Sequence, residues 1–224
     1  MVKIVAFFKR KPGISVEAFD RHWATRHAEL VRRLPGLRRY VQNPTLESGY
    51  RKREPIYDGV AEAWFDDRDA LRISGATAEY RAVKADEASF LDAASLGSLV
   101  TDEVVVVDGP EPRDGVKLIA FLNRRPDLEP GAFRAYWRDR HGPLAARVPG
   151  LRRYVQCHVT PGIYMAGREP VYDGVPISWF DDAAALRASG GSSAYQAVRR
   201  DEENFLSPPP LPFVIASARE IEVG

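Results

Sequence analysis

Two histidines stand in the same setting. His27 follows Trp23 by four residues and Phe19 by eight, and His141 follows Trp137 and Phe133 at the same spacing. Residues four apart on a helix share a face, so both imidazoles are predicted to turn inward with the aromatic rings. An imidazole titrates near neutrality, and an inward one can take a proton from a carbon beside a carbonyl or return one to a leaving hydroxyl. His27 and His141 are therefore the candidate acid/base groups. Asp58 and Asp173, each in a Tyr-Asp-Gly triplet, are the candidate catalytic partners that orient and charge the ring. Tyr40, Tyr57, Tyr154 and Tyr172 carry hydroxyls that suit a developing enolate oxygen. Trp23, Trp137, Glu62 and His158 complete the predicted substrate contacts, an aromatic-walled pocket with a few placed polar groups, suited to a flat ligand. The plain alternative is a pair of core histidines satisfied by backbone carbonyls, core tyrosines with bonded hydroxyls, and a turn at Asp58-Gly59.

The elements that must position these residues occur twice. The offset between the histidines is 114 (141 minus 27), and it also carries Pro35-Gly36-Leu37-Arg38-Arg39-Tyr40-Val41-Gln42 onto residues 149–156 unchanged. A one-residue insertion then shifts the offset to 115, which aligns residues 53–60 with 168–175. The chain thus reads as two copies of one unit, 1–109 and 116–224, joined by the turn-forming stretch Gly109 to Gly115. In each copy the first strand (Lys3 to Lys9) is followed by a helix capped by Ser15, or opened by Glu129-Pro130, and stopped at Pro-Gly. A second strand runs from Leu37 to about Asn43, a loop from Thr45 to Glu54, and a third strand from Tyr57 to Phe65. A second helical region carries Tyr80, Val83, Glu87 and Phe90 on one side, matched by Tyr195, Val198, Glu202 and Phe205. Leu99 to Val107 and Phe213 to Val223 are the closing strands. The order βαββαβ, given twice, predicts an α+β fold with both helices on one face of a four-stranded antiparallel sheet. Strand Lys3 to Lys9 is apolar on both sides, so the bare sheet faces are predicted to bury against each other.

The copies differ where a site would sit: Glu62 stands against Ile177, His22 against Tyr136, and Asn43-Pro44 against Cys157-His158. Loss of the carboxylate at Ile177 predicts a weaker second half unless His158 substitutes, and so at most one competent pocket. His22 falls off the apolar stripe and is predicted to be solvated.

Composition narrows the classes. The chain has 224 residues with a formal net charge of +1, which gives no general attraction to nucleic acid or anionic lipid. One cysteine, Cys157, fits a reducing compartment, and no apolar run reaches membrane-spanning length, so a soluble cytoplasmic protein is expected. There is no glycine-rich phosphate loop, no nucleophile-elbow serine and no histidine pair at ligand spacing. No metal and no cofactor are predicted, although a single histidine on an apolar wall is all that a haem would need.

The pattern Phe-x-x-x-Trp-x-x-x-His, then Pro-Gly-Leu and a Tyr-containing strand, then Tyr-Asp-Gly and an Asp-Glu-x-x-Phe helix end, resembles EthD-like proteins of the dimeric α/β-barrel superfamily. The resemblance covers nearly the whole chain, once per half. It implies a ferredoxin-like fold in each half and a barrel made from two sheets. Such proteins mostly pair as homodimers of single units, so the fused copies imply a monomeric pseudo-dimer, with further homodimerisation left open. Similar proteins include polyketide-tailoring dehydratases, decarboxylases and cyclases, cofactor-independent monooxygenases and haem-handling enzymes. The expectation is a cofactor-independent lyase-type enzyme that moves protons in a dehydration or cyclisation of an aromatic or polyketide-like small molecule. Two alternatives stand beside it: cofactor-free oxygenation of an aromatic hydroquinone, and a non-catalytic ligand-binding role within a pathway.

Overall fold

The computed structural model describes residues 1–51 and 53–223; Lys52, within the predicted loop 45–54, and Gly224, at the end of the second copy, lie outside the described residues. The first copy runs β1 (Val2–Phe8), α1 (Val16–His22), a π-helical turn (Trp23–His27), α2 (Ala28–Val31), β2 (Leu37–Pro44), β3 (Gly59–Phe65), α3 (Arg68–Ser74), α4 (Ala78–Phe90) and β4 (Gly97–Val107). The second repeats the order with β5 (Val116–Ala120), α5 (Pro130–Tyr136), a π-helical turn (Trp137–His141), α6 (Gly142–Ala145), β6 (Leu151–Val159), a short α7 (Gly162–Met165), β7 (Gly174–Phe180), α8 (Ala183–Gly190), α9 (Ser193–Asp201) and β8 (Phe213–Ala216). The strand expected over 213–223 breaks after Ala216 and resumes as β9 (Arg219–Ile221).

Two compact units result, and they are not cut where the repeats are: one holds Met1–Val100 and the residues from Ala218 onward, the other Thr101–Ser217. The first has the strand order β4-β1-β3-β2-β9, with β9 antiparallel to β2 through Tyr40↔Ile221. The second has β8-β5-β7-β6-β4, with β4 antiparallel to β6 through Thr101↔Val159. The closing strand of each repeat therefore ends beside the second strand of the other repeat. Within each unit the helices lie on one face. Val31 and Val83 pack with Val2, Leu37, Tyr40 and Phe65 in the first. The helix-free faces are buried as well, through Val5, Val41 and Val60 in the first unit and Ile119, Val155 and Ile177 in the second. Each unit is thus the α+β, ferredoxin-like arrangement expected.

One local feature departs from the sequence reading. The first helix of each copy was expected to be α-helical throughout, yet it widens to π at the stretch that bears the histidine. The Trp23 carbonyl accepts from Ala28 N–H five residues on, and also from Gln42 Nε2 at 2.7 Å. In the second copy Gln156 Nε2 donates to the Trp137 carbonyl at 2.8 Å. A strand glutamine thus satisfies a helix carbonyl that the wider turn leaves with spare capacity, and π-turns of this kind are frequent at functional sites. The helix then stops at Pro-Gly, where Gly36 and Gly150 take φ of +77° and +79°, a conformation that side-chain-bearing residues rarely adopt. No helix among the described residues is long and apolar enough to cross a membrane.

Candidate active site

The helix side of the second unit holds a cavity of about 430 Å3. It is lined by residues of β5 to β8 and of the helices above them, mostly apolar, with His141, Tyr154, Ser178, Arg187, Tyr195, Arg199 and Glu202 as its polar members. The volume and the sparse polar groups are those of small-molecule sites. In the first unit the corresponding wall packs as an apolar cluster that takes in Leu34, Ala61, Ala63 and Leu71 and the C-terminal Ile221 and Val223. The side chains account for much of the difference: where the first copy has Phe8, Val31 and Leu34, the second has the smaller Leu122, Ala145 and Val148.

His141 is buried, and its Nδ1 lies 2.8 Å from Asp201 Oδ2. Burial pushes the imidazole below its ordinary value, against the opposing pull of Asp201. Burial alone would raise the Asp201 carboxyl, but hydrogen bonds from Tyr136, His141 and Asn204 outweigh it and hold it below the usual range. With Asp201 ionised and His141 neutral, Nδ1 carries the proton and Nε2 the lone pair, the form a general base needs. The Tyr154 hydroxyl accepts from Trp137 Nε1 at 3.2 Å and lies 3.5 Å from Gln156 Nε2. Burial pushes its pKa up to about 12, so it keeps its proton and can donate it. Glu202 faces the same cavity, paired with Arg199 at 2.5 Å, and burial raises its carboxyl to about 7. Among the described residues that line the cavity His141 is the one imidazole, and so the one nitrogen through which a haem iron could be held. Among the described residues no group of three or more His, Cys, Asp and Glu could hold a metal ion.

The sequence signature and this geometry meet in a family assignment. The EthD domain matches residues 11–94 and again residues 125–209. The chain belongs to the EthD domain family. No curated protein matches it. Among solved structures, an anthrone oxidase-like protein shares 12% identity over 98% of this chain and 92% of its own, with a TM-score of 0.67. A putative monooxygenase from Fusobacterium nucleatum shares 10% identity over 99% and 92%, with a TM-score of 0.62. A putative chlorite dismutase shares 14% identity over 97% and 94%, with a TM-score of 0.58. At these identities the likeness shows the fold alone.

Within the two EthD domains the predicted site residues part company. Trp137, His141 and Tyr154 line the cavity of the second domain. Trp23 and Tyr40 are packed in the core clusters of the first, and His27, also buried, bonds Asp86 Oδ2 at 3.0 Å. The carboxylates that reach the histidines are thus Asp86 and Asp201, not Asp58 and Asp173. Asp58 instead accepts from Arg10 at 2.5 Å and from Tyr50, and Asp173 from Arg124 at 2.5 Å and from Tyr164, so both anchor loops at the strand ends. Glu62 lies on the helix-free face, 2.5 Å from Lys3 Nζ, and accepts from Asn43 at 3.0 Å. Its replacement by Ile177 therefore takes nothing from the cavity, contrary to the expectation of a weakened second half. Tyr57 and Tyr172 pack at a tilt on Phe7 and Phe121, with centroids 4.8 and 5.0 Å apart, and Tyr172 is not in the cavity wall. His158 sits behind it, bonded through Nε2 to Gln156 Oε1 at 2.9 Å and packed on Trp137; burial drives its pKa down to about 3. His22 is half-buried and bonds Asp86 at 3.1 Å, rather than standing free in solvent as expected. Asp201, Arg199 and Glu202 were missed as site residues. The signal was present in Glu202, a carboxylate within the apolar stripe Tyr195, Val198, Phe205.

Proposed function

We propose that the second EthD domain binds a hydrophobic, flat small molecule and moves a proton on it, with His141 as general base held by Asp201. The observation that carries this reading is a buried imidazole, held through Nδ1 by Asp201, on the wall of a largely apolar cavity of about 430 Å3. Such a base can take a proton beside a carbonyl while the Tyr154 hydroxyl, its acceptor capacity filled by Trp137, donates to the enolate oxygen that develops. A dehydration or cyclisation of an aromatic or polyketide-like substrate uses these steps. His141→Gln should lower kcat by about 10²- to 10⁴-fold on a β-hydroxy ketone of a fused-ring system, the usual contribution of such a base. Unchanged turnover in that variant would refute the reading.

Oxygenation of an anthrone- or hydroquinone-like phenol would use the same base to form the electron-rich anion. The fold neighbours described as a putative monooxygenase and as anthrone oxidase-like make this second reading worth one control. Turnover that continues without dioxygen supports the lyase; turnover that stops supports the oxygenase.

A further inference from the structure

We infer that Glu202 is the proton donor to the leaving hydroxyl, which assigns the reaction to a dehydration by paired acid and base rather than to deprotonation alone. The inference rests on the proton-transfer reading of the same cavity and adds a catalytic residue to it. Asp201 and Glu202 are consecutive at the end of α9, yet they serve different neighbours. The Asp201 carboxylate turns to His141 and Tyr136, while the Glu202 side chain lies in the cavity wall beside Arg199. One turn of chain therefore supplies both the group that fixes the base and a second carboxyl that faces the ligand. The two cavity groups are also driven in opposite directions. Burial lowers His141, whose other neighbours are Asp201 and Arg199; burial raises Glu202 against the pull of Arg199 and with the push of Asp201. A pair of titratable groups separated in this way divides into base and acid.

The step balances without a further reactant. His141 Nε2 takes the proton from the carbon between the carbonyl and the carbinol carbon, and the C–H electron pair becomes the new C=C bond. The C–O bond breaks, its pair goes to the oxygen, and Glu202 supplies the proton that lets water leave. His141 ends as imidazolium and Glu202 as carboxylate, each returned by exchange with solvent. Arg199, 2.5 Å from the carboxyl, stabilises the negative charge that appears as the proton departs.

The test compares leaving groups. Two probes are used, 3-hydroxy-1-tetralone and 3-fluoro-1-tetralone, which lose water and hydrogen fluoride to give the same naphthol. Water needs an acid to leave; fluoride needs one much less. Glu202→Gln should slow loss of water by about 10²- to 10⁴-fold and loss of fluoride by under about tenfold, whereas His141→Gln should slow both. A second measurement needs no variant: for the wild-type chain the hydroxy probe should lose rate as pH rises through about 7, and the fluoro probe should not. Equal slowing of both probes by Glu202→Gln, or identical pH profiles, would overturn the acid role and leave the base intact. Failure of the wild-type chain to turn over either probe would overturn the proton-transfer reading itself.

Discussion

The two EthD domains carry nearly the same aromatic and histidine signature and use it differently. Trp23-Tyr40-Gln42 and Trp137-Tyr154-Gln156 make matching hydrogen-bonded triads, and each histidine is held by an aspartate of α4 or α9. In the first domain the helix side is filled by a cluster that includes Leu34, Ile221 and Val223, and Asp86 is shared among His22, Arg26 and His27. In the second, smaller side chains leave a cavity, and Asp201 answers to one imidazole, with Tyr136 and Asn204 completing its shell. The difference teaches that a polar constellation is not a site until the packing around it gives way. Close packing is the default of a protein interior, so a few removed methyl groups decide which copy can admit a ligand.

The largest expected effect breaks the symmetry outright. His141→Gln should cost about 10²- to 10⁴-fold in kcat, and His27→Gln less than about threefold, measured on the same substrate. Next, Asp201→Asn keeps the shape but loses the charge that fixes the His141 tautomer, and kcat should fall by about 10- to 100-fold, the scale seen when such supporting partners are removed. The matching Asp86→Asn should lower stability instead, by about 1–3 kcal/mol in chemical denaturation, because three donors are left with one neutral acceptor oxygen in place of a shared carboxylate.

Packing can be exchanged between the domains. Ala145→Val with Val148→Leu copies the first domain into the second and should raise KM by roughly tenfold, the scale of one or two methylenes fitted into a pocket, with the fold retained. Val31→Ala with Leu34→Val makes the reverse change and should cost about 1–4 kcal/mol, since it hollows a filled cluster. The smallest effect is on acid stability. Both buried histidines have folded pKa values below 6.5. The folded state then binds fewer protons than the unfolded one, so the stability is intact above the unfolded value and is lost as pH falls through it. His27→Gln and His141→Gln should each flatten the pH dependence of thermal unfolding below about pH 6.5.

Much of this was legible from the residues. The repeat, the Pro-Gly stop and the alternation in Gly59–Phe65 specified two ferredoxin-like units, because turn chemistry and periodicity are local. The inward turn of His27 and His141 was legible for the same reason. What escaped were choices made by long-range packing. Asp201 reaches His141 across 60 positions of sequence, so nothing near the histidine announced its partner, and the closer Asp173 was taken for it. The face on which Glu62 lies depended on strand register, and one residue of register reverses every side chain. The π-turn was hidden because a spacing of four fits an α-helix equally well. The cavity itself arose from differences at Leu122, Ala145 and Val148 that look conservative until they are summed in space.

The claim that a single domain is open is tested most directly by histidine nitrogen NMR on the full chain titrated with 1-naphthol, with resonances assigned from the His27→Gln and His141→Gln variants. The predicted result is a saturable shift of His141 Nε2 while His27 stays in place. A shift of His27 of equal size, or no shift of His141 at a naphthol concentration that protects the chain against thermal unfolding, would contradict the account.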